Sequence, residues 1–294
     1  ELNPDIMLLL IKAGRLDEAL PLISKALENY KTFFGVDHPL TAEIIALRAM
    51  THAAKGDKQN ALDDFSKAMP ILLKERTEIE NNYPKKMRFR FFVEEYLKLL
   101  SDIYKANKEE QFKVDASAES FKLVQILIES SANKALGATS ARAASVHPGL
   151  ADLVRKEQDS LKQISALRAT AQNALSVSPE QQNPDALKEL IDKIRTLRKA
   201  RSVLMDEIKS RFPKYSDFTN PQPISFAKIQ QHLHSSEAML AVFPTSEHTY
   251  VWAIPSSGPI SFNVLNLGKN DVQKIVLDLR KGLRSETEDI WRYS

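Results

Sequence analysis

The chain contains no cysteine. That excludes disulfides, thiolate metal sites and a cysteine nucleophile within its 294 residues, and it leaves no record of the redox state of the compartment. Glycine is scarce: there are eight, none in the GxxxxGK or GxGxxG arrangements that cradle phosphates, so no cofactor is expected. No apolar run approaches the ~20 residues that a bilayer crossing needs, which argues against a membrane partner. The amino terminus lacks a charged-then-apolar secretion signal, and the expected location is cytoplasmic. Glu1 is followed almost at once by a helix pattern, so the sequence reads as a fragment of a longer protein. Neither sign of charge is in excess. Forty-one basic against 38 acidic residues leave a net charge of +3, too little to imply a nucleic-acid partner by itself.

What is present is ordinary globular material. Hydrophobic residues make up 43% and charged residues 27% of a chain long enough for two domains of ~150 residues. Between His147 and Phe212 run two helix patterns of roughly 30 residues each, joined by the turn-rich segment Ser176 to Pro184. In the first arm Leu150, Leu153, Val154, Leu161, Ile164, Leu167, Ala171 and Ala174 recur mostly at three- and four-residue steps. Leu187, Leu190, Ile191, Ile194, Leu197, Leu204 and Ile208 do the same in the second. Two such stripes joined by a short polar loop bury each other only by folding back antiparallel. Helices of that length give arms of about 45 Å. Asn183-Pro184-Asp185 supplies an N-cap with proline in the first turn, and Pro213 ends the second arm.

The first part of the chain is internally similar. Gly14-Arg15-Leu16-Asp17-Glu18-Ala19-Leu20 aligns with Gly56-Asp57-Lys58-Gln59-Asn60-Ala61-Leu62, 42 residues later, and the agreement continues through Ser24-Lys25-Ala26-Leu27 against Ser66-Lys67-Ala68-Met69. Small residues at Ala19, Ala26, Ala61 and Ala68 let paired helices approach closely, while Ile23 and Phe65 fill the space between them. The pattern resembles the tetratricopeptide repeat in its longer, kinesin-light-chain-like form, whose inter-repeat "LGxDHP" turn is matched by Gly35-Val36-Asp37-His38-Pro39, with Phe34 in place of the leucine. Arg48 departs from the pattern, standing where the first helix normally carries leucine.

Beyond the two repeats, Pro70 falls inside the helix pattern Ala61 to Glu80 and should kink it, and Tyr83-Pro84 ends it. Lys85 to Ala106 reads as a long helix with Phe89, Phe92, Val93, Tyr96, Leu97, Leu100, Ile103 and Tyr104 inward. Ala116 to Asn133 is its expected partner in a degenerate third pair. The mixed basic and aromatic segment Lys85 to Arg90 could suit a phosphate backbone with stacked bases, but its aromatics stand at core spacing, which favours a solvated helix start over nucleic acid.

From Ala118 a second resemblance appears. Ala118-Glu119-Ser120-Phe121-Lys122-Leu123, the run Ala135 to Ala144 (ALGATSARAA) and Leu150 to Asp159 (LADLVRKEQD) follow in the order and spacing seen in bacterial proteins whose tetratricopeptide repeats precede a CHAT domain, a caspase-like module. Arg211-Phe212-Pro213-Lys214-Tyr215 and Asn220-Pro221-Gln222-Pro223-Ile224-Ser225 resemble that family's "RFPxYxxLxxPxPxSLxEVQxxL" junction, with Phe218 and Phe226 replacing leucines. The resemblance implies a cysteine peptidase in which a histidine assists a thiolate nucleophile, with both residues beyond the segment present here.

Read from its residues alone, the last third gives the same architecture. Ser225 N-caps a short helix through Leu233. Ala238 to Phe243, Thr249 to Ile254 and Ile260 to Leu267 are β-rich runs, the last two joined by the turn Pro255 to Pro259. Asn270-Asp271 opens a helix with Val272, Ile275, Val276, Leu279 and Leu283 on one face, expected to lie on the sheet. Three strands and one helix make a poor independent core, so more of the sheet is expected outside this chain.

No catalytic, cofactor or metal residue is assigned. His38 belongs to the repeat turn, His52 to a helix face, His147 to a helix start, His232 and His234 to a helix end and His248 to a strand turn, none with further ligands at metal spacing. Glu286, Glu288 and Asp289 read as a solvated loop. In tetratricopeptide arrays the first helix of each pair lines a concave groove, and the alignment projects Leu8, Ile11 and Lys12, then Glu43, Ala46, Met50 and Ala53, onto that surface. Such residues suit a hydrophobic helix or strand of a protein partner better than a free carboxylate terminus, unless they pack against neighbouring helices. Leu8, Ile11, Lys12, Glu43 and Met50 are therefore the partner-binding candidates. The expected fold is mainly α: a repeat array over 1–146, a long hairpin over 147–212 and the start of a caspase-like α/β domain over 213–294. The expected function is a protein-binding regulatory scaffold of a cysteine peptidase, non-catalytic in this chain. An independent adaptor and a nucleic-acid-responsive sensor remain as alternatives.

Overall fold

A computed structural model of the chain describes residues 3–74, 83–128, 147–176, 183–219 and 223–284. The motif Ala135 to Ala144, most of the Ser176 to Pro184 loop, Asn220 to Gln222, the acidic cluster at Glu286 to Asp289 and the expected run of the fourth helix to Glu80 lie outside those residues. The chain is mainly α, with a small antiparallel sheet near its carboxyl end. It forms two compact units that interleave along the sequence, Glu1–Phe92 with Ile126–Pro223 and Val93–Gln125 with Ile224–Ser294.

The repeats are α1 (Pro4–Lys12), α2 (Leu16–Phe34), α3 (Pro39–Ala54) and α4 (Lys58–Lys74). Asn3 caps α1 by accepting the Asp5 N–H at 2.8 Å. The glycines repeated 42 residues apart are needed for their backbone: Gly14 and Gly56 have φ of +72° and +80°, a left-handed conformation that costs other residues energy. After each glycine the next N–H reaches back to close the helix, Arg15 to the Leu10 carbonyl and Asp57 to that of His52, both at 2.9 Å. Ala19, Ala26, Ala61 and Ala68 are fully buried, with Ile23 and Phe65 between the helices as their spacing requires. Pro70 sits inside α4, which continues to Lys74. The misfit Arg48 is explained by Asp64, whose two carboxylate oxygens accept from its Nε and Nη2 at 2.7 and 2.8 Å. A half-buried fork-to-carboxylate pair stands where the pattern expects leucine.

Next come α5 (Tyr83–Lys105), α6 (Glu109–Phe112) and α7, over 116–128. The long hairpin consists of α8 (Pro148–Ser176) and α9 (Pro184–Arg211), followed by the short α10 (Pro213–Thr219). Asn183 caps α9, its Oδ1 accepting the Ala186 N–H at 3.1 Å. The arms run antiparallel. Leu150 and Leu153 of α8 cluster with Ile208 of α9 at one end, while Ala171 meets Leu187 and Ile191 at the other. Between these ends Arg201 donates to Glu157 across the arms at 2.6 Å.

The second unit contains α11 (Phe226–Gln230), β1 (Ala238–Pro244), β2 (Thr249–Pro255), β3 (Ser261–Leu265) and α12 (Lys269–Arg284). The strands are antiparallel in the order β1-β2-β3, with Ala241 opposite Trp252 and Trp252 opposite Phe262. This register puts Tyr250, Trp252, Ile254 and Phe262 on one face, all buried. Beneath them lie residues that the sequence assigned to the end of the repeat array. The Trp252 indole donates to Ser120 of α7 at 3.3 Å, Phe121 packs on Trp252, and Tyr104 of α5 meets Phe262 edge-on. The second half of α5 and α7 thus form the floor of the sheet.

On the opposite face Leu240 and Val242 stand exposed, Leu240 at 66%. The expectation that α12 covers one face is not met, since Ile275, Val276 and Leu279 are exposed. The start of α12 is held instead by backbone and cap bonds: Lys269 N–H donates to Thr245 O at 2.8 Å, and Gly268 N–H to Asp271 at 2.9 Å.

Ile164 and Ile194 are each 2% exposed in the hairpin. Alanine at either position is expected to cost about 2 to 4 kcal/mol. A loss below roughly 0.5 kcal/mol in urea melts, the size of a surface change, would show that the arms do not pack as described.

Candidate functional site

The five partner-binding candidates lie close to one another in the first unit, but four of them are not open surface. Leu8 and Ile11 of α1 and Glu43 and Met50 of α3 are buried, as is Ala46. Lys12 is exposed, and its ammonium sits 4.2 Å from the centre of the Phe91 ring. Arg88 of α5 explains much of this arrangement. Its guanidinium reaches Asp5 at 2.5 Å and Glu43 at 3.0 Å, joining α1, α3 and the beginning of α5 in one charged cluster. Arg88 of α5 thus reaches into the side of α1 and α3 projected as a groove, at Asp5 and Glu43. Arg88 has a signal in the sequence: it stands four residues before Phe92 and eight before Tyr96, both buried, so it shares their face.

In the basic-aromatic segment Lys85 to Arg90, Arg88 and Phe89 are buried while Lys86 and Arg90 are exposed. Two of its central side chains are inside, and one of its charges is committed to carboxylates.

The inter-repeat turn has a structural task. His38 caps α3, its Nδ1 accepting the Leu40 N–H at 3.2 Å, which fixes that nitrogen as the unprotonated one. Thr41 donates to Gly35 O at 2.8 Å, and the His38 ring stacks on Phe34 with centroids 4.8 Å apart. Phe34 in turn packs with Ala171, Leu187 and Ile191, so the turn forms the seat for one end of the hairpin. A small cleft of about 30 Å³ remains there, lined by Phe34, His38, Lys85, Arg168 and Ile194 among others. Burial lowers the His38 pKa to about 3, with the charges of Arg168, Lys85 and Arg195 acting in the same direction.

The remaining histidines stay apart. His52 faces Asp57 at 3.6 Å, and His232 lies within hydrogen-bond distance of the Lys228 carbonyl. Among the described residues no three histidine, aspartate or glutamate side chains gather as metal ligands, and no helix is long and apolar enough to cross a membrane.

The family model of the tetratricopeptide repeat matches residues 7–74, from within α1 to the end of α4. Among curated proteins none matches the chain. The repeats make this part of the chain a protein-interaction scaffold, in agreement with the sequence pattern.

Two measurements test the geometry. His38 refuses a proton in the folded state that the unfolded chain accepts near pH 6.5, so its contribution makes stability fall as pH drops from 6.5 towards 3. The slope is at most about 1.4 kcal/mol per pH unit. His38→Asn keeps a capping oxygen but cannot titrate, and urea melts from pH 7 to 4 should show a shallower loss for the variant; equal slopes would mean that His38 is not buried neutral. Met50→Glu places a carboxylate in the core and should cost at least about 3 kcal/mol, lowering the melting temperature markedly. An unchanged melting temperature would restore the open groove.

Proposed function

We propose that this chain is the protein-binding, regulatory part of a bacterial caspase-like (CHAT) cysteine peptidase and does not itself carry the catalytic residues. The carrying observation is the combination of repeats at 7–74 with the ordered motifs from Ala118 to Ser225 that resemble the junction of such proteins. In this reading the array over 1–146 takes a partner, the hairpin over 147–212 relays its presence, and 213–294 begins the caspase-like domain. The exposed apolar outer face of the sheet and the exposed stripe of α12 support it, because both suit further strands and helices of one α/β domain. With Leu8, Ile11, Glu43 and Met50 buried, the partner would use other parts of the array. Ile6 and Leu9, exposed on the opposite side of α1, and Phe33 and Val36 are among the exposed apolar side chains of the array.

A second reading is an independent adaptor without a peptidase. Expression of the complete coding sequence separates the two. The first reading expects iodoacetamide-sensitive cleavage of peptides by that product and none by the chain alone. Turnover by the purified chain would overturn it, as would a complete coding sequence that adds no cysteine and histidine.

A further inference from the structure

An open groove of about 540 Å³ lies in the second unit, with Tyr104, Glu109, Glu110, Asp115, Phe226 and Ile260 among its lining. Its aromatic walls are held in place before any ligand arrives. The Tyr104 hydroxyl donates to Ile260 O at 3.3 Å and accepts the Phe262 N–H at 3.4 Å, while the ring meets Phe262 edge-on at 5.3 Å. Phe226 stacks on Phe121, centroids 4.8 Å apart and planes 23° from parallel. Rings fixed in this way lose little freedom when something stacks on them.

The rim is acidic. Glu109 is oriented by the Ala116 N–H at 2.7 Å, and Asp115 by the Ala118 N–H at 2.9 Å. Glu110 is exposed, and among the described residues its carboxylate makes no hydrogen bond or ion pair. Lys113 is the cation of the lining, so three carboxylates outweigh one ammonium. These carboxylates are not gathered as metal ligands. A spread acidic rim above aromatic walls suits a planar organic cation better than a metal ion.

We infer that this groove docks an arginine side chain, flanked by apolar residues, from a partner protein. A guanidinium is flat and delocalised, so it can lie on an aromatic face while its edges donate to carboxylates. The groove is open to solvent, and its volume of about 540 Å³ leaves room for a guanidinium and its aliphatic stem. The inference is independent of the peptidase reading, since it uses only residues present in this unit.

The test uses the full chain and the peptide acetyl-Leu-Arg-Leu-amide, with its citrulline counterpart as a neutral analogue of the same shape. Aromatic NMR signals of Tyr104 and Phe226 should shift saturably with the arginine peptide. The citrulline peptide should bind about fivefold more weakly or worse. Glu110→Lys, on an exposed position, should weaken the arginine peptide about tenfold, whereas Glu28→Lys on α2 should leave it unchanged. Equal binding of the two peptides, absence of saturable shifts, or equal losses from both substitutions would overturn the proposal; the last would reduce it to general attraction between opposite charges.

Discussion

The buried guanidinium of Arg88 is the constraint around which the first unit is arranged. A charge removed from water must be paired on most of its edges, and Asp5 and Glu43 supply the carboxylates from two helices that the repeat pattern alone would leave facing a groove. Removing Arg88 or Glu43 would leave the other charge buried without its partner, which is far more costly than never having built the pair, whereas Asp5 is half exposed to water. The cluster therefore specifies an arrangement more than it adds stability. It holds α1, α3 and the start of α5 in one register, where Nη1 and Nη2 of Arg88 meet Asp5 and Glu43 while its buried Nε makes no hydrogen bond among the described residues. The Arg48 and Asp64 pair does the same between α3 and α4.

Much of the architecture is legible in the sequence because it rests on local rules. The alanines at 19, 26, 61 and 68 report close helix approach, the glycines at 14 and 56 report left-handed backbone, and Asn183 and Ser225 report helix starts. The β-rich composition of Thr249 to Ile254 reports a strand, but with Val251 and Ala253 apolar as well it does not single out Tyr250, Trp252 and Ile254 as the buried row. The candidate site is less legible, for a physical reason. Glu43 looks like a surface residue until its partner is known, and that partner lies 45 positions away in a helix whose pairing no local signal records. Projection from the repeat pattern picks out side chains of α1 and α3 that the structure buries, and does not tell what covers them.

The third helix pair shows the same limit in another form. Periodicity gives α5 an apolar stripe along its length, yet its first half belongs to the unit of the repeats and its second half to the unit of the sheet. A stripe tells which side of a helix is buried. It cannot tell which neighbour buries it. The changeover falls between Phe92 and Val93, where both residues are buried and the sequence gives no break in pattern.

The sheet depends on that second half of α5 and on α7. Tyr250, Trp252 and Phe262 present broad rings to one side, and rings of that size need a floor with complementary shape and at least one acceptor for the indole N–H. Ser120 is that acceptor, and Phe121 and Tyr104 fill the remaining space. Burial and the neighbouring carboxylates Glu94, Glu95, Asp102 and Glu247 push the Tyr250 hydroxyl above its usual pKa, so it stays neutral. One face of a three-stranded sheet is thereby saturated, and its other face is left apolar and exposed. The groove beside Tyr104 and Phe226 follows from the same packing. Tyr104 and Phe226 are committed to the core through Phe262 and Phe121 and line the groove, and α6, which carries Glu109 and Glu110, and the adjoining Asp115 are tied to the start of α7 through the Glu109 and Asp115 carboxylates. Structural hydrogen bonds and an acidic, aromatic recess thus come from the same residues, which is why the recess has a defined shape in the free chain.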